Sequence, residues 1–151
     1  MTSEQMVPIG EIYLNSEPAS GNMVVLKEKE ASDRYFMMFV GDAEFTAIAK
    51  EKGLMTPARP LTHDLYLHIM EKLHVDLLRV EIHDLKEDTF YARVVFRTNG
   101  EEQWVDSRPS DAVALALNKK IPIMVKWDLF RRKLTPEQIR EYEGLVKTVK
   151  F

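Results

Sequence analysis

Hydrophobic residues alternate with polar ones in some segments of the chain and recur every three or four residues in others. Runs that alternate or are rich in β-branched and aromatic residues predict strands at 7–14, 23–30, 34–40, 77–85, 89–97, 101–106 and 121–126. Asn99-Gly100, the strongest short hairpin signal, separates two of these strands. Helical spacing predicts helices at 42–52, 62–74, 109–117 and 137–148.

The starts of the predicted helices carry residues that favour helix initiation. Asp42 and Thr62 are predicted N-caps, and Pro109 suits a first turn because its missing N–H has no helical partner there. The second helix has apolar residues at i, i+4 and i+8, which we predict to pack inward: Leu65, Ile69 and Leu73.

The order of the elements mixes hairpins with strand-to-helix units, which favours an α+β fold over a repeating parallel α/β fold. We predict about seven strands, mostly antiparallel, and about four helices. No repeat and no long linker divides the 151 residues. One domain is therefore predicted over 1–134, with 135–151 forming a C-terminal amphipathic helix packed on it.

Composition narrows the classes of protein to which the chain can belong. Hydrophobic residues make up 45% of the chain and charged residues 30%, which is typical of a globular domain. The sequence has no cysteine, which excludes disulfides, thiolate nucleophiles and Cys-ligated metals. Its start lacks the features of a signal peptide, and no apolar run approaches the ~18 residues of a membrane span. We expect a cytoplasmic protein without a membrane segment.

The net charge of −3 gives no attraction of the whole surface to nucleic acid, so any such binding must be local. One segment, 119–133, is basic and contains Trp127 and Phe130. The pattern favours a solvated rim there, and a phosphate-binding patch is the alternative.

Three short segments are more specific than the rest of the chain: 40–44 (VGDAE), 59–65 (RPLTHDL) and 106–112 (DSRPSDA). Together they resemble the bifunctional nuclease domain family, in a bacterial-type member, over about residues 23–126. The resemblance implies a mixed, strongly curved sheet and an activity that degrades both RNA and DNA. Many relatives carry a helical UVR motif after this domain, and 134–151 is too short for one.

The resemblance also implies roles for the charged motif residues, which follow predicted strands and begin predicted helices. Carboxylates there suit Mg²⁺ or Mn²⁺, and a helix start with an arginine suits a phosphate. We expect a catalytic set, a substrate-binding set and a metal-binding set. They are, in that order, His63, Asp64 and Asp111; Arg59, Arg108 and Ser110; Asp42, Glu44 and Asp106.

A second hypothesis explains the same motifs without catalysis. An acidic residue in the first turn of a helix also complements the helix dipole, and an arginine there can simply bind a neighbouring carboxylate. The chain would then be a homo-oligomeric binding or assembly module whose motifs hold three helix starts together. A shared open cleft would favour the enzyme.

Overall fold

A computed structural model of the chain describes residues 4–18, 21–29 and 34–130, and the backbone of 132–133. The strands are β1 (Met6–Glu17), β2 (Gly21–Glu28), β3 (Arg34–Val40), β4 (Asp76–Lys86), β5 (Thr89–Thr98), β6 (Glu101–Ser107), β7 (Ile123–Lys126) and β8 (Arg132–Lys133). They form one sheet in the order β6-β5-β4-β7-β1-β2-β3-β8, in which only β4 and β7 pair in parallel. The predicted α+β class and mostly antiparallel sheet are confirmed, and seven of these strands are longer than two residues.

Three α-helices occur in the described part of the chain: α1 (Asp42–Glu51), α2 (Thr62–Lys72) and α3 (Pro109–Lys119). A single 3-10 turn, Trp127–Leu129, follows β7. About four helices were predicted; the fourth, 137–148, lies outside the described residues. Among the helices that the structure describes, none combines the length and the apolar character needed to cross a membrane.

The predicted capping residues are wrong by one position for two helices. Gly41 and Leu61 are the N-caps of α1 and α2, so Asp42 and Thr62 are instead the first helical residues. The start of α2 is closed by Asp64, whose carboxylate accepts a hydrogen bond from the Leu61 N–H at 2.9 Å. The carboxylate of the third helical residue therefore caps the start of α2, a role that was predicted for Thr62.

The core lies between one face of the sheet and the helices α1 and α3, which pack side by side. Its largest fully buried apolar side chains include Leu14, Leu26, Phe36, Ile48 and Ile82. Burial of a side chain of this size contributes roughly 1.5–3 kcal/mol to stability. The three-dimensional arrangement of α1 and α3 is thus fixed by packing on the sheet.

The prediction for the inner face of α2 is wrong. Leu65, Ile69 and Leu73 are 53%, 48% and 66% exposed. The buried side chains of this helix lie on another face: His63, Asp64 and Leu67. The two buried polar side chains have charged partners in α1, Glu51 for His63 and Lys50 for Asp64, which periodicity within α2 alone does not reveal.

The sheet bends along β1. Residues 6–8 of this strand pair with β7, whereas 9 and 11–17 pair with β2, and the register shifts between Ile9 and Glu11. Gly10 lies at this irregularity, where an added Cβ would stand 2.8 Å from the Lys29 Cα. Only glycine allows that approach, so Gly10 permits the change of strand partner that curves the sheet.

Candidate active site

The starts of α1 and α3 meet although the strands that precede them are far apart in the sheet. Six steps separate β3 from β6, and the pairings make these two strands run in opposite directions. Neighbouring strands of a sheet are typically twisted by about 20–25°, or about 120–150° over six steps, which is consistent with the approach of the two strand ends. Arg108 and Glu44 consequently lie 3.0 Å apart.

An open cleft of about 960 Å³ lies where the N-terminal parts of α1, α2 and α3 come together. Leu61, Tyr66 and Val105 contribute apolar surface to its walls. Seven of the nine predicted site residues line it: Asp42, Glu44, His63, Asp106, Arg108, Ser110 and Asp111. Arg59 and Asp64 are not among the lining residues; Arg59 is exposed on the preceding loop, and Asp64 is buried behind the cleft.

Arg108 holds together the rim of this cleft, which we call the rim cluster (Asp42, Glu44, Arg108 and Asp111). Its guanidinium donates to both oxygens of Asp111, at 2.8 and 3.1 Å, and to Glu44 at 3.0 Å. Asp42 accepts a hydrogen bond from the Asn22 side chain at 2.7 Å. The backbone N–H of Glu44 and the Arg108 guanidinium lower the pKa of Glu44, so this carboxylate is ionised at neutral pH.

A second group of polar side chains is buried between the three helices, and we call it the buried cluster (Lys50, Glu51, His63, Asp64 and Asn118). The Lys50 ammonium lies 2.7 Å from Asp64 Oδ1 and 3.2 Å from Glu51 Oε1. Glu51 Oε2 lies 2.9 Å from His63 Nε2 and 2.7 Å from Asn118 Nδ2. These contacts join the end of α1, the start of α2 and the end of α3.

Burial and hydrogen bonding act in opposite directions on the carboxylates of the buried cluster. Burial raises the pKa of Glu51, but hydrogen bonds from His63, Asn118 and Lys50 outweigh it, and the pKa lies below the ordinary value. Burial likewise raises the pKa of Asp64, but hydrogen bonds from Lys50 and from the Leu61 N–H outweigh it, so this pKa also lies below the ordinary value. The same two carboxylates raise the pKa of Lys50 against the effect of its burial. All three groups are therefore charged at neutral pH.

His63 belongs to both regions, because its ring lines the cleft and its Nε2 contacts Glu51. The side chain is 9% exposed, and Nδ1 is buried without a hydrogen-bond partner in the protein. A buried polar atom left in this state costs roughly 1–3 kcal/mol. Such a cost is commonly met at functional sites, where a ligand or a water supplies the missing bond.

The residues present do not fit a divalent ion in this arrangement. Among the described residues, the one group of three candidate ligands within 4.8 Å of one another is Glu51, His63 and Asp64. All four carboxylate oxygens of that group already accept hydrogen bonds, and Lys50 occupies the cationic position between them. The predicted metal ligands form no such group in the part of the chain described; these are Asp42, Glu44 and Asp106.

Three members of the buried cluster were missed by the sequence analysis: Lys50, Glu51 and Asn118. Lys50 and Glu51 are ordinary helix-forming residues in the last turn of α1, and Asn118 lies near the end of α3. No motif marks them. The available signal was the pair of polar residues His63 and Asp64 at the start of α2. Polar side chains that become buried there need polar partners from other elements.

The aromatic residues of the basic segment pack inward. Phe130 is buried in the core, Trp127 contacts it with ring centres 5.6 Å apart, and the Arg34 guanidinium lies 4.8 Å from the Trp127 ring centre. Arg131 and the side chains of 132–133 lie outside the described residues. A phosphate-binding role for this segment stays a prediction.

Sequence comparison identifies the family to which this arrangement belongs. The family model described as bifunctional nuclease domain matches residues 24–138. The chain belongs to the bifunctional nuclease domain family. The predicted family resemblance is confirmed, and the match includes all three motif segments and every member of both clusters.

Relatives of this bifunctional nuclease domain occur in bacteria and plants. An uncharacterised protein of Mycobacterium tuberculosis is 44% identical over 106 residues, which cover 70% of this chain and 63% of that protein. Bifunctional nuclease 1 of Oryza sativa subsp. japonica is 26% identical over 113 residues, which cover 72% of this chain and 34% of the plant protein. The chain thus spans under two thirds of the length of the mycobacterial relative.

Proposed function

We propose that the chain is a nuclease that hydrolyses phosphodiester bonds of RNA and DNA in the cleft, with His63 as the general base. One observation carries the proposal: a buried imidazole lines the cleft, is held by Glu51 through Nε2, and has no partner at Nδ1. Membership of the bifunctional nuclease domain family and the names of the plant relatives support the substrate class.

The other side of the cleft supports phosphate binding. Three helices begin at the cleft, and the free N–H groups and dipole of a helix start favour an anion. Arg108 is 64% exposed and uses three of its five N–H donors in the rim cluster. Two donors remain for a phosphate oxygen, and Ser110 lines the cleft beside them.

The proposed chemistry uses residues of the chain alone. His63 takes a proton from a water molecule, the water oxygen forms a bond to phosphorus, and the bond to the leaving oxygen breaks. Solvent returns a proton to the leaving oxygen. Asp64 and Asp111 act in this scheme through the cations that they hold, Lys50 and Arg108. Because the residues do not fit Mg²⁺ or Mn²⁺ in this arrangement, no step is assigned to an ion, and metal dependence stays a prediction.

Degradation of end-labelled single-stranded RNA and DNA by the purified chain tests the proposal. His63→Gln should reduce kcat by roughly 10²–10⁴, the usual contribution of general acid–base catalysis. His68→Gln is the matched control, because His68 is exposed on the same helix and does not line the cleft. Parallel assays with EDTA, Mg²⁺ or Mn²⁺ test metal dependence. Equal activity of wild type and His63→Gln would refute the role of His63.

A second candidate function is self-association, as expected for an assembly module. The observation that favours it is the outward stripe of α2, Leu65, Ile69 and Leu73, which covers no part of the core. A second copy could cover the stripe by packing its own α2 antiparallel across it, since a two-fold interface brings the same residues together. Tyr66 and Val105, both exposed, extend the apolar surface toward the cleft.

Sedimentation velocity distinguishes a monomer from a dimer of the chain. A dimer in the wild type that becomes a monomer in Ile69→Asp would support self-association through α2. His68→Asp, which adds the same charge one residue away from the stripe, serves as the control. A monomeric wild type at high micromolar concentration would leave the nuclease as the better proposal.

A further inference from the structure

We propose that Glu51 is a positioning residue that fixes the tautomer of His63 and leaves the lone pair on Nδ1, the buried ring nitrogen that has no partner in the protein. The part of this inference that concerns catalysis rests on the proposed nuclease function. The part that concerns the ring of His63 is independent of it. Glu51 itself is not among the cleft-lining residues, so it acts through His63.

The direction of the hydrogen bond follows from the chemistry of the two groups. An ionised carboxylate only accepts hydrogen bonds, so the contact of 2.9 Å between Glu51 Oε2 and His63 Nε2 requires a proton on Nε2. A neutral imidazole carries one ring proton, and Nδ1 must then hold the lone pair. The base of the proposed reaction is therefore prepared before any substrate binds.

Glu51 is itself held in place from two helices. Asn118 of α3 donates to the same oxygen as His63, at 2.7 Å, and Lys50 of α1 lies 3.2 and 3.3 Å from the two carboxylate oxygens. The Glu51 side chain is 8% exposed. It cannot turn away from His63 without leaving two donors, His63 Nε2 and Asn118 Nδ2, without their acceptor, which makes its orientation rigid.

Lys50 also separates positioning from metal binding. Its ammonium supplies the positive charge that an ion between Glu51 and Asp64 would otherwise supply. A positioning role therefore predicts that the tautomer of His63 is the same in a buffer that contains EDTA and in a buffer that contains Mg²⁺. A metal-ligand role predicts a change in the His63 signals when the ion is added.

Long-range proton–nitrogen NMR of the ¹⁵N-histidine-labelled chain measures the tautomer directly, at a pH where histidine is neutral. His63→Gln assigns the signals. The wild type should show the Nε2–H form. In Glu51→Gln the Lys50 ammonium should hold the amide oxygen at the Oε1 position, so the amide NH₂ takes the Oε2 position. It then donates one hydrogen to His63 Nε2 and the other to the side-chain oxygen of Asn118, whose amide turns over. The ring should then change to the Nδ1–H form.

The kinetic counterpart is a loss of kcat with little change in KM. A wrong tautomer in a comparable carboxylate–histidine pair reduces kcat by about 10⁴, and we expect a loss on the order of 10²–10⁴ for Glu51→Gln. Asn118→Ala is the control, because it disturbs the same buried site but keeps the carboxylate; its tautomer should remain Nε2–H. Glu51→Asp is the second variant if Glu51→Gln does not fold, and it should also retain Nε2–H.

The outcomes for the two proposals are separate. An Nδ1–H ring in the wild type, or an unchanged Nε2–H ring in Glu51→Gln, overturns the positioning role. The predicted tautomers together with an inactive wild type would support Glu51 as the residue that orients His63 and would overturn the nuclease proposal. The predicted tautomers together with a selective loss of kcat would support both.

Discussion

The rim cluster and the buried cluster are built from the same kinds of side chain, yet the exposure of their central members, Arg108 and His63, differs. In the rim cluster, Arg108 is 64% exposed, and its two partners lie at the edge of an open cleft. In the buried cluster, Glu51, His63 and Asp64 have side chains that are 8–10% exposed. Solvent screens the first group and barely reaches the second.

This difference separates the tasks that the two clusters can perform. Exposed ion pairs contribute about 0–1 kcal/mol each and exchange partners readily, which suits a group that must release Glu44 or Asp111 to bind a phosphate. Loss of one member of a buried pair costs about 3–5 kcal/mol, because a charge is left without compensation. The buried cluster is accordingly suited to holding His63 in a fixed orientation while Arg108 of the rim cluster exchanges its partners.

The largest expected effect is on the stability of a variant in the buried cluster. Asp64→Ala removes the shorter of the two carboxylate contacts of Lys50 and the acceptor of the Leu61 N–H, and we expect a loss of about 3 kcal/mol in the free energy of unfolding. Urea unfolding of wild type and variant gives the value. Asp111→Ala, the matched change in the rim cluster, should cost less than about 1 kcal/mol. Equal losses would contradict the comparison.

Acid should weaken the buried cluster more than the rim cluster. The pKa values of Glu51 and Asp64 are lower in the folded chain, so their stabilisation is present above the ordinary carboxyl pKa and is lost as pH falls through the folded values. The pKa of Lys50 is raised, so its contribution is lost only as pH rises above about 10. Neutral pH therefore retains both contributions.

Urea midpoints at pH 7, 4 and 3 for wild type and Asp64→Asn test this pH dependence. The difference in stability between the two should be largest at pH 7 and should shrink as pH falls below about 4, because the unfolded chain then binds a proton at Asp64 that the folded chain, with its lowered pKa, takes up only at more acidic pH. Glu44→Gln provides the rim control and should differ little from wild type at every pH. A difference for Asp64→Asn that is constant with pH would argue against an ionised Asp64.

The rim cluster should respond in binding and not in stability. Arg108→Ala removes two free N–H donors from the cleft, and we expect affinity for a labelled single-stranded oligonucleotide to fall about 10-fold or more, with less than about 1 kcal/mol lost in unfolding. Fluorescence anisotropy measures the affinity. Arg97→Ala is the control, because Arg97 is exposed on β5 and does not line the cleft. Equal losses of affinity would indicate nonspecific charge attraction.

The smallest expected effect extends the comparison to apolar side chains of α2. Ile69→Ser should change the stability of the monomer by no more than about 0.5 kcal/mol, because Ile69 is 48% exposed. Leu67→Ala, two residues away on the buried side, should cost about 2–5 kcal/mol. Urea unfolding at low protein concentration measures both. A large loss of stability in Ile69→Ser would indicate that Ile69 packs inward, as the sequence pattern predicted.

The sequence by itself determined the elements and the family, because both depend on local information. Alternation, helical spacing and turn residues predict strands and helices close to those observed, and Pro109 begins α3 as expected. Three short motifs indicate the family and mark most of the residues that line the cleft. These signals are readable because each lies within a few consecutive residues.

The tertiary structure alone decided which side of α2 is buried and which residues hold His63. The apolar stripe of α2 faces outward because the end of α1 offers charged partners to the opposite side, and Asn118 of α3 in turn binds one of these partners, Glu51. Glu51 lies 12 positions from His63 and Asn118 lies 67 positions from Glu51, so no local pattern joins them. Twist and the bend at β1 bring the three helices together, and the environment of His63 depends on that long-range geometry.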